Sequence, residues 1–219
     1  MRNITTILFD LDGTLLDTAP DFLVAINTLR EQRDLPPLTR ADFEHSVANG
    51  ADAMLAAGLG ITSTHKEYAT ARSAFLSHYR DNINCYTLPF PGVMDLLEHI
   101  EHLGLRWGIV TNKPHEYSVA LLVGLQLFSR ASCVISGDMV TKRKPHPEPL
   151  LLACKLLACL PTDCIYVGDT KNDITAGKAA GMKTAAVLFS YVASHEDVST
   201  WQADIMLQHP RDLQQLLGS

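Results

Sequence analysis

The sequence predicts an α/β protein built on a doubly wound parallel sheet, and three observations carry that prediction. Short apolar runs recur at residues 4–9, 107–110, 133–135, 164–167 and 184–188, each closed by polar or turn residues. They are continuous rather than alternating, which is the pattern of strands buried on both faces. Helical patterns separate the later runs, so strands and helices alternate as they do in parallel sheets with crossover helices. The third observation is an interruption: from about Thr18 to Leu88, helix-like stretches follow one another with no convincing strand, which predicts a helical insert.

Each element has its own signal. Helices of the insert are expected around residues 22–32, 41–47 and 68–79. After Pro91-Gly92, the residues Val93, Leu96, Leu97, Ile100 and Leu103 fall at helical spacing, with Gly104 placed to cap the C-terminus. Leu150, Cys154 and Leu157 repeat the spacing ahead of Pro161, and a helix over 174–180 ends at Gly181. Residues 204–217 read as a last short strand and helix.

Length and composition set the outer limits. A chain of 219 residues is one generous domain, or a core plus an insert, at roughly 150 residues per domain. Hydrophobic residues at 47% and charged residues at 19% exclude disorder as the general state and supply a sizeable core. Acidic residues outnumber basic ones, 24 to 18, for a net charge of −6. There is no chain-wide basic field for nucleic acid or an anionic membrane, so a small-molecule partner is expected. The five cysteines form no CxxC pair and are odd in number, as expected for reduced thiols. The apolar stretch at 4–9 runs straight into Asp10 and Asp12, too short and acidic for a signal peptide, and no run approaches the ~20 residues of a membrane span. The expected compartment is the cytoplasm.

Four clusters could carry chemistry. The first is Asp10-Leu11-Asp12-Gly13-Thr14-Leu15, directly after the first expected strand. Carboxylates at i and i+2 on extended backbone face the same side, and strand C-terminal ends are where open α/β sheets place their sites. Such a pair suits a divalent metal, an acid/base couple or both; a plain turn with a cap residue is the structural alternative. The second is Gly168-Asp169-Thr170-Lys171-Asn172-Asp173 at another strand exit, where Asp173 lies one helical turn beyond Asp169. It could supply a metal ligand and its supporting partner, or simply an N-cap. Hard oxygen donors at two strand ends favour Mg²⁺. The third, Thr111-Asn112 before Pro114, offers a hydroxyl and helix-start N–H groups to an anion such as phosphate. Lys144, within Lys142-Arg143-Lys144-Pro145-His146-Pro147, could neutralise a phosphoryl oxygen.

In this order the four clusters resemble the haloacid-dehalogenase-like phosphatase superfamily over essentially the whole chain. The resemblance implies a Rossmann-like doubly wound core, residues 1–17 and 89–219, with a helical cap subdomain at 18–88. It implies Asp10 as nucleophile, Asp12 as general acid/base, and Thr111, Asn112 and Lys144 as phosphate holders. It further implies Mg²⁺ held by Asp10, the Asp12 carbonyl and Asp169, with Asp173 in support. The implied activity is hydrolysis of a small phosphomonoester through an aspartyl-phosphate.

Phe90-Pro91-Gly92, Thr111-Asn112-Lys113-Pro114, Lys144-Pro145-x-Pro147-Glu148-Pro149-Leu150 and a tail with Tyr191, Trp201 and Ala203-Asp204 resemble most closely the phosphoglycolate phosphatase group. The tail is similar to that of the branch acting on N-acetylmuramic acid 6-phosphate. In the cap segment Asn49-Gly50-Ala51-Asp52-Ala53, expected to select the leaving group, Asp52 stands where relatives often place Arg. A carboxylate there suits a hydroxyl- or amide-bearing sugar better than a second carboxylate. A β-phosphoglucomutase-like phosphotransferase and a non-enzymatic phosphate-binding receiver module are the alternatives; inorganic phosphate release and catalytic turnover separate them. His99 and His102, at i and i+3, are expected as exposed polar residues, and Trp107 and Trp201 as packing anchors.

Overall fold

The computed structural model describes residues 4–191 and 197–218. Six strands form one parallel sheet: β1 (Thr6–Phe9), β4 (Arg106–Val110), β5 (Val134–Ile135), β6 (Cys164–Gly168), β7 (Lys183–Val187) and β8 (Ile205–Leu207), in the order β5-β4-β1-β6-β7-β8. Renumbered within the sheet this is 3-2-1-4-5-6, the doubly wound order that the strand and helix alternation predicts. All five apolar runs are strands, and the tail supplies the sixth.

The runs are continuous because both faces are covered. Along β1, Ile7 and Phe9 enter one core cluster and Leu8 the other; along β6, Ile165 and Val167 oppose Cys164 and Tyr166. Helices α5 (Val93–His102) and α7 (Glu148–Leu157) pack on the β4–β5 side, and α8 (Lys171–Ala179) lies against β6 and β7. Helix α9 (Pro210–Leu217) packs on α5. Gly104 and Gly181 take positive φ just beyond α5 and α8, as expected of residues that stop a helix. Among the described residues no helix is long and apolar enough to cross a membrane.

A second, two-stranded ribbon pairs β2 (Leu16–Asp17) with β3 (Leu88–Pro89) in antiparallel fashion. The chain leaves the sheet through β2 and returns through β3, and four helices lie between: α1 (Ala19–Glu31), α2 (Arg40–Phe43), α3 (Gly50–Leu59) and α4 (Tyr68–Asp81). They pack on one another, α1 against α3 and α4. Asp21 ties the two crossings together. Fully buried, it accepts from Asn84 N (2.9 Å), Tyr86 N (2.7 Å) and Thr87 Oγ1 (2.6 Å). Tyr191 adds a link from the core, donating to Asp17 Oδ1 and accepting from Ala19 N.

The insert differs from its sequence expectation in two places. The helix expected at 41–47 is a single turn, α2, that continues as a 3₁₀ segment over Glu44–Asn49. Helix α3, which follows it, is not signalled at all, because Gly50, Ala51, Ala53, Met54, Leu55, Ala56 and Ala57 give it no polar face and hence no amphipathic period. Helix α6 (His115–Gly124), after the Thr111 cluster, is legible only in its first turn for the same reason.

Candidate active site

The sheet order changes direction between β1 and β6, and a crevice at the C-terminal ends of the strands follows from that reversal. Asp10 is the first residue past β1 and Asp169 the first past β6. The Asp10 amide donates to Val167 O (2.9 Å), so its position is fixed by the sheet itself. Beyond Asp12 the chain turns back at Gly13, with φ +83°, and any side chain there would collide with the Asp169 carboxylate. This close approach lets Thr14 Oγ1 donate to Asp169 Oδ1 (3.1 Å), while Ser190 Oγ donates to Asp169 Oδ2 (2.9 Å).

Asp173 caps α8. Its carboxylate accepts from Thr170 N (3.0 Å) and Thr170 Oγ1, and Thr170 Oγ1 accepts from Asp173 N in return. The N-cap reading of this cluster is therefore fulfilled, and Asp173 also reaches the crevice. Lys144 Nζ lies 2.7 Å from Asp173 Oδ1, 2.8 Å from Asp10 Oδ1 and 2.7 Å from Tyr166 Oη. Burial alone would lower the Lys144 pKa, but the Asp10 and Asp173 carboxylates outweigh it and push it up to about 12. The lysine stays charged. Asn112 fixes its backbone reciprocally, Nδ2 donating to Lys144 O and Oδ1 accepting from Lys144 N, both at 3.0 Å. The Asn112 side chain thus holds the lysine loop, while Thr111 is buried at the end of β4 and its Oγ1 accepts from Lys113 N (3.2 Å).

The three core carboxylates are under electrostatic tension. Asp10, Asp169 and Asp173 each place an oxygen within 4.8 Å of the others, all buried. Burial, with Asp173 and Asp12 nearby, raises Asp10 to about 6 despite Lys144. Burial and the charges of Asp10 and Asp173 raise Asp169 well above the carboxylate range, against the donors Ser190 and Thr14. Asp10 Oδ1, close to Lys144, receives no well-directed hydrogen bond from any described residue. Hard oxygen donors and the mutual repulsion of three buried carboxylates fit a divalent cation of the Mg²⁺ type.

Asp12 has a partner that the sequence reading did not single out. Lys113 Nζ donates to Asp12 Oδ1 at 2.9 Å and Oδ2 at 3.2 Å, beneath the rings of Phe22 and Tyr79, whose centroids are 4.5 and 4.8 Å away. Lys113 lies within the Thr111-Asn112-Lys113-Pro114 run, which by itself assigned it no role. Thr14 lay within the first cluster without a role of its own, and Tyr166, Ser190 and Tyr79 carried no signal, because folding alone brings them to the crevice.

A cavity of about 370 Å³ opens over these groups. Asp10, Asp12, Thr111, Asn112, Lys113, Lys144 and Asp173 form its floor, and Phe22, Asn49, Gly50, Asp52, Arg72 and Tyr79 its roof. Asp169 is absent from the lining and sits behind Asp10. In the roof Asp52 is already engaged, accepting from Tyr68 Oη (2.6 Å) and Arg72 Nε (3.3 Å).

Comparison with known proteins gives this geometry a lineage. The model of the haloacid dehalogenase-like hydrolase family matches residues 7–187. The chain belongs to that family. It is 40% identical to the N-acetylmuramic acid 6-phosphate phosphatase of Pseudomonas aeruginosa, over 96% of this chain and 93% of that one. It is 41% identical to the phosphoglycolate phosphatase of Xanthomonas campestris, over 97% and 96%. A crystal structure of a predicted phosphoglycolate phosphatase from Haemophilus somnus superimposes with a TM-score of 0.87 at 25% identity, covering 99% of both chains. This haloacid dehalogenase-like hydrolase is an enzyme, with its acidic crevice at the switch point of the sheet.

Proposed function

We propose that the chain is a cytoplasmic, Mg²⁺-dependent phosphatase acting on N-acetylmuramic acid 6-phosphate in preference to 2-phosphoglycolate, with helices α1–α4 as a cap (residues 18–88) over the core. The observation that carries the phosphatase reading is the convergence of Asp10, Asp12, Thr111 and Lys144 on the floor of one cavity. Phosphate monoesters hydrolyse very slowly unaided, so a site must align the reactants and neutralise charge.

Asp10 attacks phosphorus in line, forming an O–P bond as the ester P–O bond breaks. Asp12 gives its proton to the departing oxygen, then takes one from the water that attacks the aspartyl-phosphate, returning Asp10 and releasing inorganic phosphate. Lys144 and the Thr111 hydroxyl hold the phosphoryl oxygens. Asp10, the Asp12 carbonyl and Asp169 would hold Mg²⁺, with Asp173 orienting Lys144 beside them. When bound, the metal lets an anionic nucleophile meet an anionic ester.

The substrate preference rests on the cavity. A two-carbon phosphate leaves most of its volume unfilled, whereas a phosphorylated amino sugar reaches the roof. There, Phe22 and Tyr79, their rings stacked at a 3.9 Å centroid distance, offer an aromatic wall to the face of a sugar ring. Asp52, bound to Tyr68 and Arg72, acts by holding Arg72 at the cavity wall. Measuring inorganic phosphate released from the two compounds with Mg²⁺ tests the reading. A higher kcat/KM for the sugar phosphate supports it, and a strong preference for 2-phosphoglycolate refutes it.

A further inference from the structure

Far from the carboxylates, three thiols meet. Cys154 lies on α7, Cys159 in the turn after it, and Cys164 opens β6. The Cys164 sulfur is 3.8 Å from that of Cys154 and 3.6 Å from that of Cys159, and all three fall within 4.8 Å of one another. No disulfide joins them. Their meeting depends on a tight turn. Ala158 ends α7 at φ 48°, in the left-handed region that residues other than glycine rarely adopt, and Cys159 N donates back to Cys154 O at 3.1 Å.

The spacing has a chemical meaning. Zn²⁺ bound tetrahedrally with Zn–S of about 2.3 Å holds neighbouring sulfurs about 3.8 Å apart, the edge of that tetrahedron. Two of the three separations already match this edge, and the third falls within 4.8 Å. Cys154 and Cys164 are buried and Cys159 half-buried, which gives an ion one route in from solvent. Hydrogen bonding from Cys164 draws the Cys154 thiol down, while Cys154 and burial push Cys164 up and burial raises Cys159, so a ligating ion must displace protons from the cluster. Three thiolates around a divalent ion leave one negative charge, and Arg106 is close at hand, its guanidinium donating to Leu157 O at the end of α7. Thiolates select soft or borderline ions and reject Mg²⁺, so this chemistry is separate from that of Asp10 and Asp169. The two groups occupy opposite ends of β6, Cys164 its first residue and Asp169 the first past its last, about 16 Å apart along an extended chain.

We propose that Cys154, Cys159 and Cys164 form a three-thiolate site for Zn²⁺, with water at the fourth position. As three Zn–S bonds form, the thiol protons pass to solvent.

Co²⁺, which reports thiolate ligation by colour, is the probe. Titrating the full chain with Co²⁺ should produce a thiolate-to-cobalt charge-transfer band that saturates at one equivalent, disappears on adding Zn²⁺ and survives excess Mg²⁺. Cys154→Ser and Cys159→Ser should each abolish the band, whereas Cys85→Ser, which removes an exposed thiol, and Asp169→Asn, at the carboxylates, should keep it. No band, or a band that persists in the Cys154→Ser/Cys159→Ser double variant, overturns the site. A second measurement needs no variant: one equivalent of Zn²⁺ should slow iodoacetamide labelling of Cys159 at least tenfold in the wild-type chain, and an unchanged rate contradicts the proposal.

Discussion

Lys113 and Asp12 form an ion pair in which one ammonium reaches both carboxylate oxygens, at 2.9 and 3.2 Å, under the aromatic rings of Phe22 and Tyr79. The lysine belongs to the core and the rings to α1 and α4, so the proposed acid/base is oriented at the seam between sheet and helical insert. Removing the ammonium frees the Asp12 side chain to rotate away from the leaving oxygen. Misplacing a proton donor by about 1 Å costs on the order of a hundredfold in rate. Lys113→Met, which keeps the stem packed beneath the rings, should therefore lower kcat by one to two orders of magnitude with a small change in KM. Steady-state kinetics check this, and a change confined to KM would instead make Lys113 a substrate-binding group.

Tyr79 contributes to the cavity roof while its hydroxyl stays out of solvent reach. Its ring stacks on Phe22 at a 3.9 Å centroid distance, and its hydroxyl is buried without a partner among the described residues. Tyr79→Phe keeps the stack and removes the hydroxyl. Because the buried hydroxyl lies out of a substrate's reach, kcat/KM on the sugar phosphate should stay within about twofold of wild type, whereas losing a hydrogen bond to substrate would cost about 1 kcal/mol, roughly fivefold. The unliganded protein should melt no lower than wild type, because an unsatisfied buried polar group has been removed. Kinetics on the sugar phosphate together with a thermal melt read both effects.

The raised pKa of Asp10 makes stability depend on pH when no divalent metal is present. Its folded value of about 6 exceeds the ordinary aspartate value of 3.8, because burial and neighbouring carboxylates disfavour the charged form. The unfolded chain therefore gives up this proton first. Stability is fully present below the lower value and lost as pH rises through the higher one, on the order of 1 to 3 kcal/mol. Asp10→Asn removes the penalty. In chelator at pH 7 to 8 the variant should melt several degrees above wild type, at about 2–4 °C per kcal/mol, and the gap should close near pH 4. Thermal melts across that range show whether the two curves converge.

Asp169 accepts from two hydroxyls, those of Thr14 and Ser190, yet burial and the charges of Asp10 and Asp173 raise it well above the carboxylate range. A cation between Asp10 and Asp169 relieves that repulsion. Mg²⁺ at about 100 times its dissociation constant should stabilise the native chain by about 2.7 kcal/mol. The resulting rise in melting temperature should vanish in Asp169→Asn. A variant that kept the full rise would move the metal away from Asp169.

The sheet was legible because strands buried on both faces must be apolar throughout, and the first polar residue past each of β1, β4 and β6 (Asp10, Thr111 and Asp169) marks where the strand stops. Asp10, Thr111 and Asp169 were readable for a related reason: parallel strands all point the same way, so residues just past their ends gather at one edge, while Lys144 stood out as part of a basic cluster. Helices α3 and α6 were hidden because they lack a polar face, and the ribbon of β2 and β3 because two residues have no period. Asp52 shows a further limit. The sequence displays a carboxylate, but only the fold shows that Tyr68 and Arg72 already occupy it. The thiols of Cys154, Cys159 and Cys164 have no motif spacing, and the turn at Ala158 is what collects them.

Asp10, as the group that takes the phosphoryl from a small monoester, is the residue on which the proposed activity turns. The decisive measurement is inorganic phosphate release from N-acetylmuramic acid 6-phosphate, with and without Mg²⁺, by the wild-type chain and by Asp10→Asn. Turnover that requires Mg²⁺ and disappears in Asp10→Asn, with the variant still folded, is the predicted result. Substantial Mg²⁺-dependent phosphate release by Asp10→Asn would contradict it.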